Sequence, residues 1–110
     1  MCAVIESLEY LKASMRAGMD DEERLAVVTF IAMKPDAGIL LDGGLRQVRV
    51  PGKGRGTSGG YRVITSHMDE SEPVYLLTVI SKGQRANLTE RQQRDVKQVA
   101  KAEKKNRGRK

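Results

Sequence analysis

The sequence is poor in the residue types that most often carry chemistry. Its 110 residues include one cysteine, one histidine and no tryptophan, and aromatic residues make up 4% of the chain. Cys2 has no second cysteine for an internal disulfide, and a single histidine excludes a histidine metal cluster and disfavours a Ser-His-Asp arrangement. We therefore expect no metal and no cofactor. Cys2 is interpreted as a passive thiol near a frayed end, and His67 as a residue at the end of a strand.

Long apolar runs are also missing. No stretch approaches the roughly 18–20 apolar residues that a membrane span requires, and no charged-then-apolar leader opens the chain. The sequence therefore predicts a cytoplasmic protein without a membrane partner.

Acidic residues are absent from residues 43–68, which contain five basic residues. Residues 101–110 hold six basic residues beside Glu103, whereas residues 1–42 hold four basic and eight acidic residues. Such an uneven distribution favours a polyanionic partner, although a basic composition by itself would support only non-specific association.

The first third of the chain predicts a brief strand at residues 3–5 and two helices. Ser7 stands at a helix-cap position ahead of an apolar stripe, and Gly18 ends this helix. Asp20 and Glu23 form a capping pair for a second helix, which Lys34-Pro35 stops. The apolar stripes are Leu8, Leu11 and Met15 in the first helix, and Leu25, Val28, Ile31 and Ala32 in the second.

The remainder predicts three antiparallel strands and a final helix. The strands are Leu45–Val50, Tyr61–Thr65 and Val74–Ile80, and Thr89 with Gln92 resembles another capping box. The predicted class is α+β in the order β-α-α-β-β-β-α, with a small antiparallel sheet of three to four strands and helices on one side. We expect one domain at residues 1–100 and a flexible basic tail at residues 101–110.

The segment GGLRQVRVPGKGRGTSGGYRVI, residues 43–64, joins the first two of these strands by a cationic glycine-rich loop. Residues 54–59 match G-x-G-x-x-G, but a strand rather than a helix follows, which argues against a dinucleotide site. A loop of this kind is suited to an anion with several oxygens, such as phosphate. Five cations are predicted to converge on one patch, unless they are only a solvated basic surface: Lys53, Arg55, Arg62, Lys82 and Arg85.

This hairpin segment and the later PVYLLTVISKGQRANLT resemble the RelE/HigB family of bacterial type II toxins, which belongs to the RelE/ParE superfamily. The similarity extends from about Val4 to about Val99, and S-G-G-Y-R-V-I and S-K-x-x-x-A-N-L-T are its most specific parts. The resemblance implies a microbial-ribonuclease-like fold, ribosome-dependent cleavage of mRNA, and neutralisation by a cognate antitoxin. Its implied partners are therefore mRNA, the ribosome with its rRNA, and the antitoxin.

The resemblance also implies roles for individual residues. Arg62 falls where the family has an arginine that binds the scissile phosphate, and Lys53 and Arg55 fall in the loop that carries cations for the same work. Lys82 and Arg85 match the cationic stretch after the last central strand. The implied catalytic set is Arg62, Lys53, Lys82 and Arg85. The tail lies outside the resemblance, and it is the basic charge of the hairpin and the tail that predicts an RNA-binding set, namely Arg46, Arg49, Arg55, Lys101, Lys104 and Lys105.

The chemistry implied is attack of an RNA 2′-hydroxyl on the adjacent phosphate, which needs positioning, charge neutralisation and proton transfer. No tyrosine or histidine follows Tyr75 to act as a base. A lysine among arginines releases its proton more readily, so Lys53 or Lys82 is the candidate proton carrier. Two alternatives stay open: a ParE-like toxin that inhibits DNA gyrase, and a non-catalytic nucleic-acid-binding module.

Overall fold

A computed structural model describes residues 2–50, 60–67, 71–81 and 94–102. Within these ranges the chain forms three α-helices, a short 3-10 helix at Asp42–Gly44 and one five-stranded sheet. The predicted α+β class and the order of the elements are confirmed.

Two N-terminal helices follow the first strand. Helix α1 spans Leu8–Arg16, and the side chain of Ser7 caps it by accepting a hydrogen bond from the Tyr10 backbone N–H at 3.0 Å. Helix α2 spans Asp21–Met33 and begins with a complete capping box between Asp20 and Glu23. Residues 94–102 form a third helix, α3. Both predicted N-terminal caps are therefore present, and each satisfies backbone donors that have no partner inside the helix.

The sheet has the strand order β1-β5-β4-β3-β2. Its strands are β1 (Val4–Glu6), β2 (Ile39–Leu40), β3 (Leu45–Val50), β4 (Tyr61–Ser66) and β5 (Val74–Ser81). β1 pairs with β5 in parallel, and the other neighbours are antiparallel. The short strand β2 and the parallel pairing of β1 are additions to the predicted three or four antiparallel strands.

Gly38 lets the chain approach β3 closely before β2 begins. Its φ is +96°, a conformation that side chains with a Cβ rarely adopt, and a Cβ there would lie 2.4 Å from the backbone oxygen of Gln47. Glycine is therefore required where the chain turns beside the third strand.

Both faces of the sheet are covered, which corrects the prediction that the helices lie on one side. Buried residues of α1 and α2 pack with Val48, Val63 and Leu76 on one face. Val96 and Ala100 of α3 pack with Leu45, Ile64, Tyr75, Leu77 and Ile80 on the other face. β4 and β5 are buried almost throughout because each lies in the middle of a sheet that is covered on both sides.

The pairing of β4 with β5 contains one irregularity. Ile64 lies opposite Thr78 and Thr65 lies opposite Leu76, so Leu77 is the extra residue of a β-bulge. A bulge of this kind shifts the alternation, which accounts for Val79 joining the α1–α2 face while Ile80 joins the α3 face. β3, by contrast, pairs regularly with β4 over its whole length.

The apolar stripes of the helices differ from those predicted. Leu8, Met15 and Leu25 are 65%, 79% and 66% exposed, so these predicted core residues face outward. The buried face of α1 consists instead of Tyr10, Ala13 and Ser14, and the Ser14 hydroxyl is satisfied by the backbone oxygen of Leu11 at 2.8 Å. A small hydroxyl that bonds within its own helix is thus compatible with burial, which hydrophobic spacing alone does not reveal.

Candidate functional site

Two of the predicted cations lie side by side on the sheet. Arg49 of β3 and Arg62 of β4 are direct partners in the antiparallel register. Residues that face each other in this way have Cβ atoms about 4.5–5.5 Å apart and point to the same face. The sheet therefore holds two guanidinium groups on neighbouring strands at the end where the hairpin loop begins.

The two arginines of this pair differ in their surroundings, because one strand is paired on both sides and the other is open to solvent beside its arginine. Arg62 also lies opposite Ile80 of β5, and Ile80 is buried against α3. Arg62 is half-buried and Arg49 is exposed. β2 pairs only with Arg46 and Gln47, so in the described residues no strand covers β3 beside Arg49. The backbone under Arg62 is fixed from both sides, while the guanidinium of Arg49 stands at an open edge.

No carboxylate in the described part of the chain forms an ion pair with Arg49 or Arg62. Arg24, by contrast, pairs with Glu6 at 3.0 Å, and Arg16 pairs with Glu9 at 3.1 Å. Like charges directly opposite each other destabilise a sheet when nothing neutralises them. The arrangement is therefore suited to an anion that bridges both guanidinium groups, because arginine forks match phosphate oxygens bidentately.

Arg46 does not join this pair. It lies three residues before Arg49, shares the strand face of Val48, and donates a hydrogen bond to the backbone oxygen of Asp36 at 3.1 Å. Successive residues of a strand alternate between faces, so Arg46 and Arg49 point to opposite sides of the sheet. The structure thus separates two residues that the sequence placed in one RNA-binding set.

Lys101 is exposed on α3. The other predicted site residues, namely Lys53, Arg55, Lys82, Arg85, Lys104 and Lys105, lie outside the described residues. Their convergence on Arg62, and with it the identity of the proton carrier, stays a prediction. The domain boundary after residue 100 also stays a prediction, and α3 continues through residue 102.

An apolar groove of about 200 Å³ lies between α2 and β3 next to Arg49. Its lining residues are Met19, Glu23, Ala26, Val27, Phe30, Arg49 and Val50. Phe30 is 39% exposed, and the ammonium group of Lys34 lies 6.0 Å from the centre of its ring. This groove was not predicted, because the apolar stripe predicted for the second helix did not include Phe30. A large aromatic residue outside that stripe was the available signal.

Two kinds of site have no support in the described residues. No group of three histidine, cysteine or acidic side chains within those ranges is placed to hold a metal ion. No described helix is long and apolar enough to cross a bilayer.

Comparison with known proteins identifies the family. The family model for the RelE toxin of the RelE/RelB toxin–antitoxin system matches residues 10–110. The chain belongs to the RelE toxin family. The predicted resemblance is thereby confirmed at the level of the family, and a toxin of this family has an antitoxin partner in its module.

Solved structures of E. coli RelE share the fold. A double arginine-to-alanine variant of E. coli RelE in its free state superposes with a TM-score of 0.55 at 16% sequence identity, covering 93% of this chain and 96% of that chain. The isolated E. coli RelE toxin gives a TM-score of 0.54 at 16% identity, covering 90% of this chain and 99% of that chain. The two proteins therefore have the same architecture over nearly their whole lengths.

Proposed function

We propose that this RelE-family toxin is a metal-independent endoribonuclease that cuts mRNA on the ribosome. The observation that carries the proposal is the Arg49–Arg62 pair, two cations on the same sheet face without a carboxylate partner in the described residues. An RNA backbone supplies the bridging phosphate that this pair lacks. RNA also supplies its own nucleophile in the 2′-hydroxyl. The protein is therefore required chiefly to position this hydroxyl against the phosphate and to neutralise the negative charge that builds on the phosphate.

In the proposed reaction Arg62 binds the scissile phosphate from the rigid centre of the sheet. As the 2′-hydroxyl attacks, negative charge grows on the equatorial oxygens, and a fixed guanidinium stabilises that charge without reorganising. Arg49 contacts the same or the adjacent phosphate from the open edge. The products are an RNA end with a 2′,3′-cyclic phosphate and a free 5′-hydroxyl, and Lys53 or Lys82 is proposed to transfer the proton.

The ribosome is proposed to orient the mRNA at the site, because the arginine pair alone is too simple to do so. The basic residues at 101–110, among them Lys101, Lys104 and Lys105, would bind rRNA phosphates through contacts that weaken as salt increases. Arg55 and the exposed Arg49 would extend this surface towards the hairpin. The protein would accordingly act in the cytoplasm.

The antitoxin is proposed to neutralise the toxin by binding in the groove between α2 and β3 and reaching Arg49 around the open edge of β3, because the arginine pair lies on the face that α3 covers. The groove is apolar, and Arg49 forms part of its wall. An amphipathic antitoxin segment that places an apolar side chain beside Phe30 would bring a neighbouring carboxylate to Arg49. Such a segment would exclude RNA from the pair by competing for the same charges.

A translating extract tests the proposal against its closest rival. Purified toxin should cut mRNA in the extract and leave DNA gyrase supercoiling unchanged, and Arg62→Gln should lose most of the cleavage. Inhibition of supercoiling by a protein that leaves mRNA intact would instead assign it to gyrase-inhibiting toxins. Binding to RNA without any cleavage would favour a non-catalytic module.

A further inference from the structure

Three side chains with complementary chemistry meet at the end of the sheet opposite to the arginine pair. The Sγ atom of Cys2 lies 3.9 Å from Nε2 of His67, and Nδ1 of His67 lies 3.2 Å from Oδ1 of Asp36. Cys2 precedes β1, His67 directly follows β4, and Asp36 lies in the loop after α2. Three distant segments therefore place a thiol, an imidazole and a carboxylate in line.

The carboxylate determines which nitrogen of His67 faces the thiol. An ionised aspartate is only an acceptor, so the Nδ1 atom beside it must carry the proton. Nε2 then presents a lone pair to a neutral thiol, or a proton to a thiolate. Both forms are consistent with transfer of the thiol proton to His67. In this arrangement Cys2 is the nucleophile, His67 is its base and Asp36 orients the base.

The cluster is held in place by its neighbours. The imidazole is 4% exposed, and the Cys2 backbone N–H donates to the Ala32 oxygen at 2.9 Å. The Glu72 backbone oxygen lies 3.7 Å from the thiol and is the second acceptor that the thiol proton can reach. Arg46 fixes the Asp36 backbone as described above. The N-terminal segment is thus not the frayed end that the sequence suggested, and Cys2 itself is only half-buried.

A metal site does not explain the cluster. The imidazole ring lies between the thiol and the carboxylate, so the two cannot bind one ion together. The geometry favours proton transfer along the line from Sγ to Oδ1.

We propose that Cys2 is a reactive nucleophile for thiol–disulfide exchange with small disulfides. The Cys2 S–H bond breaks as its proton passes to Nε2 of His67, and Sγ attacks one sulfur of the disulfide. The new bond joins Cys2 to half of the reagent, and the other half leaves as a thiolate and takes the proton from Nε2. Cys2 is thereby oxidised to a mixed disulfide, and one half of the reagent is reduced to a thiol.

This activity is separate from the proposed cleavage of RNA. Five strand residues at about 3.3 Å each place the His67 backbone roughly 16 Å from that of Arg62. Modification of Cys2 therefore does not require the arginine pair, and Arg62→Gln serves as a variant with an intact thiol cluster.

The test uses the full chain and hydroxyethyl disulfide, an uncharged reagent, at neutral pH. Because the chain has one cysteine, intact mass spectrometry reports the rate of one mixed disulfide. We expect the native chain to react about tenfold faster than the same chain unfolded in urea, since only the folded chain holds His67 where it can take the thiol proton as Sγ attacks. Arg62→Gln should react as fast as the unmodified protein, and Cys2→Ser should not react.

Two substitutions test whether the fast reaction of Cys2 depends on His67 and Asp36. His67→Gln should lower the rate of the native chain to that of the unfolded chain. Asp36→Asn should lower it severalfold, whereas Asp21→Asn, which also removes one exposed carboxylate, should leave it unchanged. A native rate no higher than the unfolded rate would overturn the proposal. If His67→Gln does not fold, equal rates for Asp36→Asn and Asp21→Asn would overturn it.

Discussion

Arg49 and Arg62 are register partners on adjacent antiparallel strands, and no described carboxylate pairs with either guanidinium. Opposed cations repel each other, and a bound anion relieves that repulsion. Placing the two arginines side by side therefore lowers the stability of the folded chain. Such a loss of stability is expected at a site whose function depends on binding an anion. Destabilising charge at such a position is a common trade between stability and activity.

The first prediction concerns that repulsion. Arg49→Gln should raise the free energy of unfolding by about 0.5 kcal/mol at low salt, because it removes one of two opposed cations. The gain should shrink in high salt, where exposed charges are screened. Lys12→Gln removes one exposed cation from α1 and is the matched control. Urea denaturation of both variants measures the difference, and equal effects would argue against repulsion between the two arginines.

The second prediction concerns the basic C-terminus. Deleting residues 103–110 should weaken ribosome binding while leaving thermal stability unchanged, because Val96 and Ala100, the buried residues of α3, are retained. The slope of log affinity against log salt should fall by about 0.7 for each phosphate contact that is lost. Ribosome co-sedimentation across a salt series measures both quantities. Unchanged affinity would remove this segment from the ribosome interface.

The third prediction concerns the groove between α2 and β3. Phe30→Ala should reduce affinity for the antitoxin by about tenfold or more, because truncating a partly buried aromatic anchor removes much of its contact area. Met33→Ala is the control, since Met33 is 63% exposed on the same helix but does not line the groove. Calorimetric titration with the cognate antitoxin compares them. Equal losses in both variants would place the antitoxin elsewhere.

The fourth prediction concerns Tyr10, which is fully buried and has a hydroxyl without a hydrogen-bond partner among the described residues. Burial, with a smaller contribution from the charge of Glu6, holds the pKa of this phenol well above its ordinary value. In the unfolded chain the phenol ionises at about pH 10, so the folded state binds the extra proton above that pH and stability must fall as pH rises further.

Tyr10→Phe removes this titration. At neutral pH its free energy of unfolding should equal that of the unmodified protein or exceed it by up to about 1 kcal/mol, because no hydrogen bond is lost. Above about pH 10 the advantage of Tyr10→Phe should grow. Thermal unfolding at neutral and alkaline pH measures both effects. A variant that is strongly destabilised at neutral pH would show that the hydroxyl is bonded after all.

Local signals predicted much of the fold. The helix caps at Ser7 and Asp20 depend on residues only three positions apart. The strands from Leu45 onward were predictable because they are rich in β-branched residues. The side of the sheet that α3 covers depends on contacts between Val96 and residues far away in the chain, such as Leu45 and Ile64. Such long-range packing leaves no periodic trace in a single sequence, so the placement of all helices on one side was wrong.

The candidate site was predictable only in part. The excess of basic residues pointed to phosphate, and Arg62 was singled out by the resemblance of its G-Y-R motif. The direct opposition of Arg49 and Arg62 depends on the hairpin register, which the sequence did not determine because the loop is long. The alignment of Cys2 with His67 depends on three segments that meet only in the folded chain. A single cysteine and a single histidine therefore gave no reason to connect them.

The central claim is that Arg62 binds the phosphate at which RNA is cut, and the chemistry of the cut ends tests it most directly. Toxin expressed in growing cells should leave mRNA fragments with 2′,3′-cyclic phosphate and 5′-hydroxyl ends. Arg62→Gln at the same protein level should reduce these ends by about a hundredfold or more, as expected when a group that stabilises the transition state is removed. Equal numbers of such ends from the unmodified toxin and from Arg62→Gln would contradict the account.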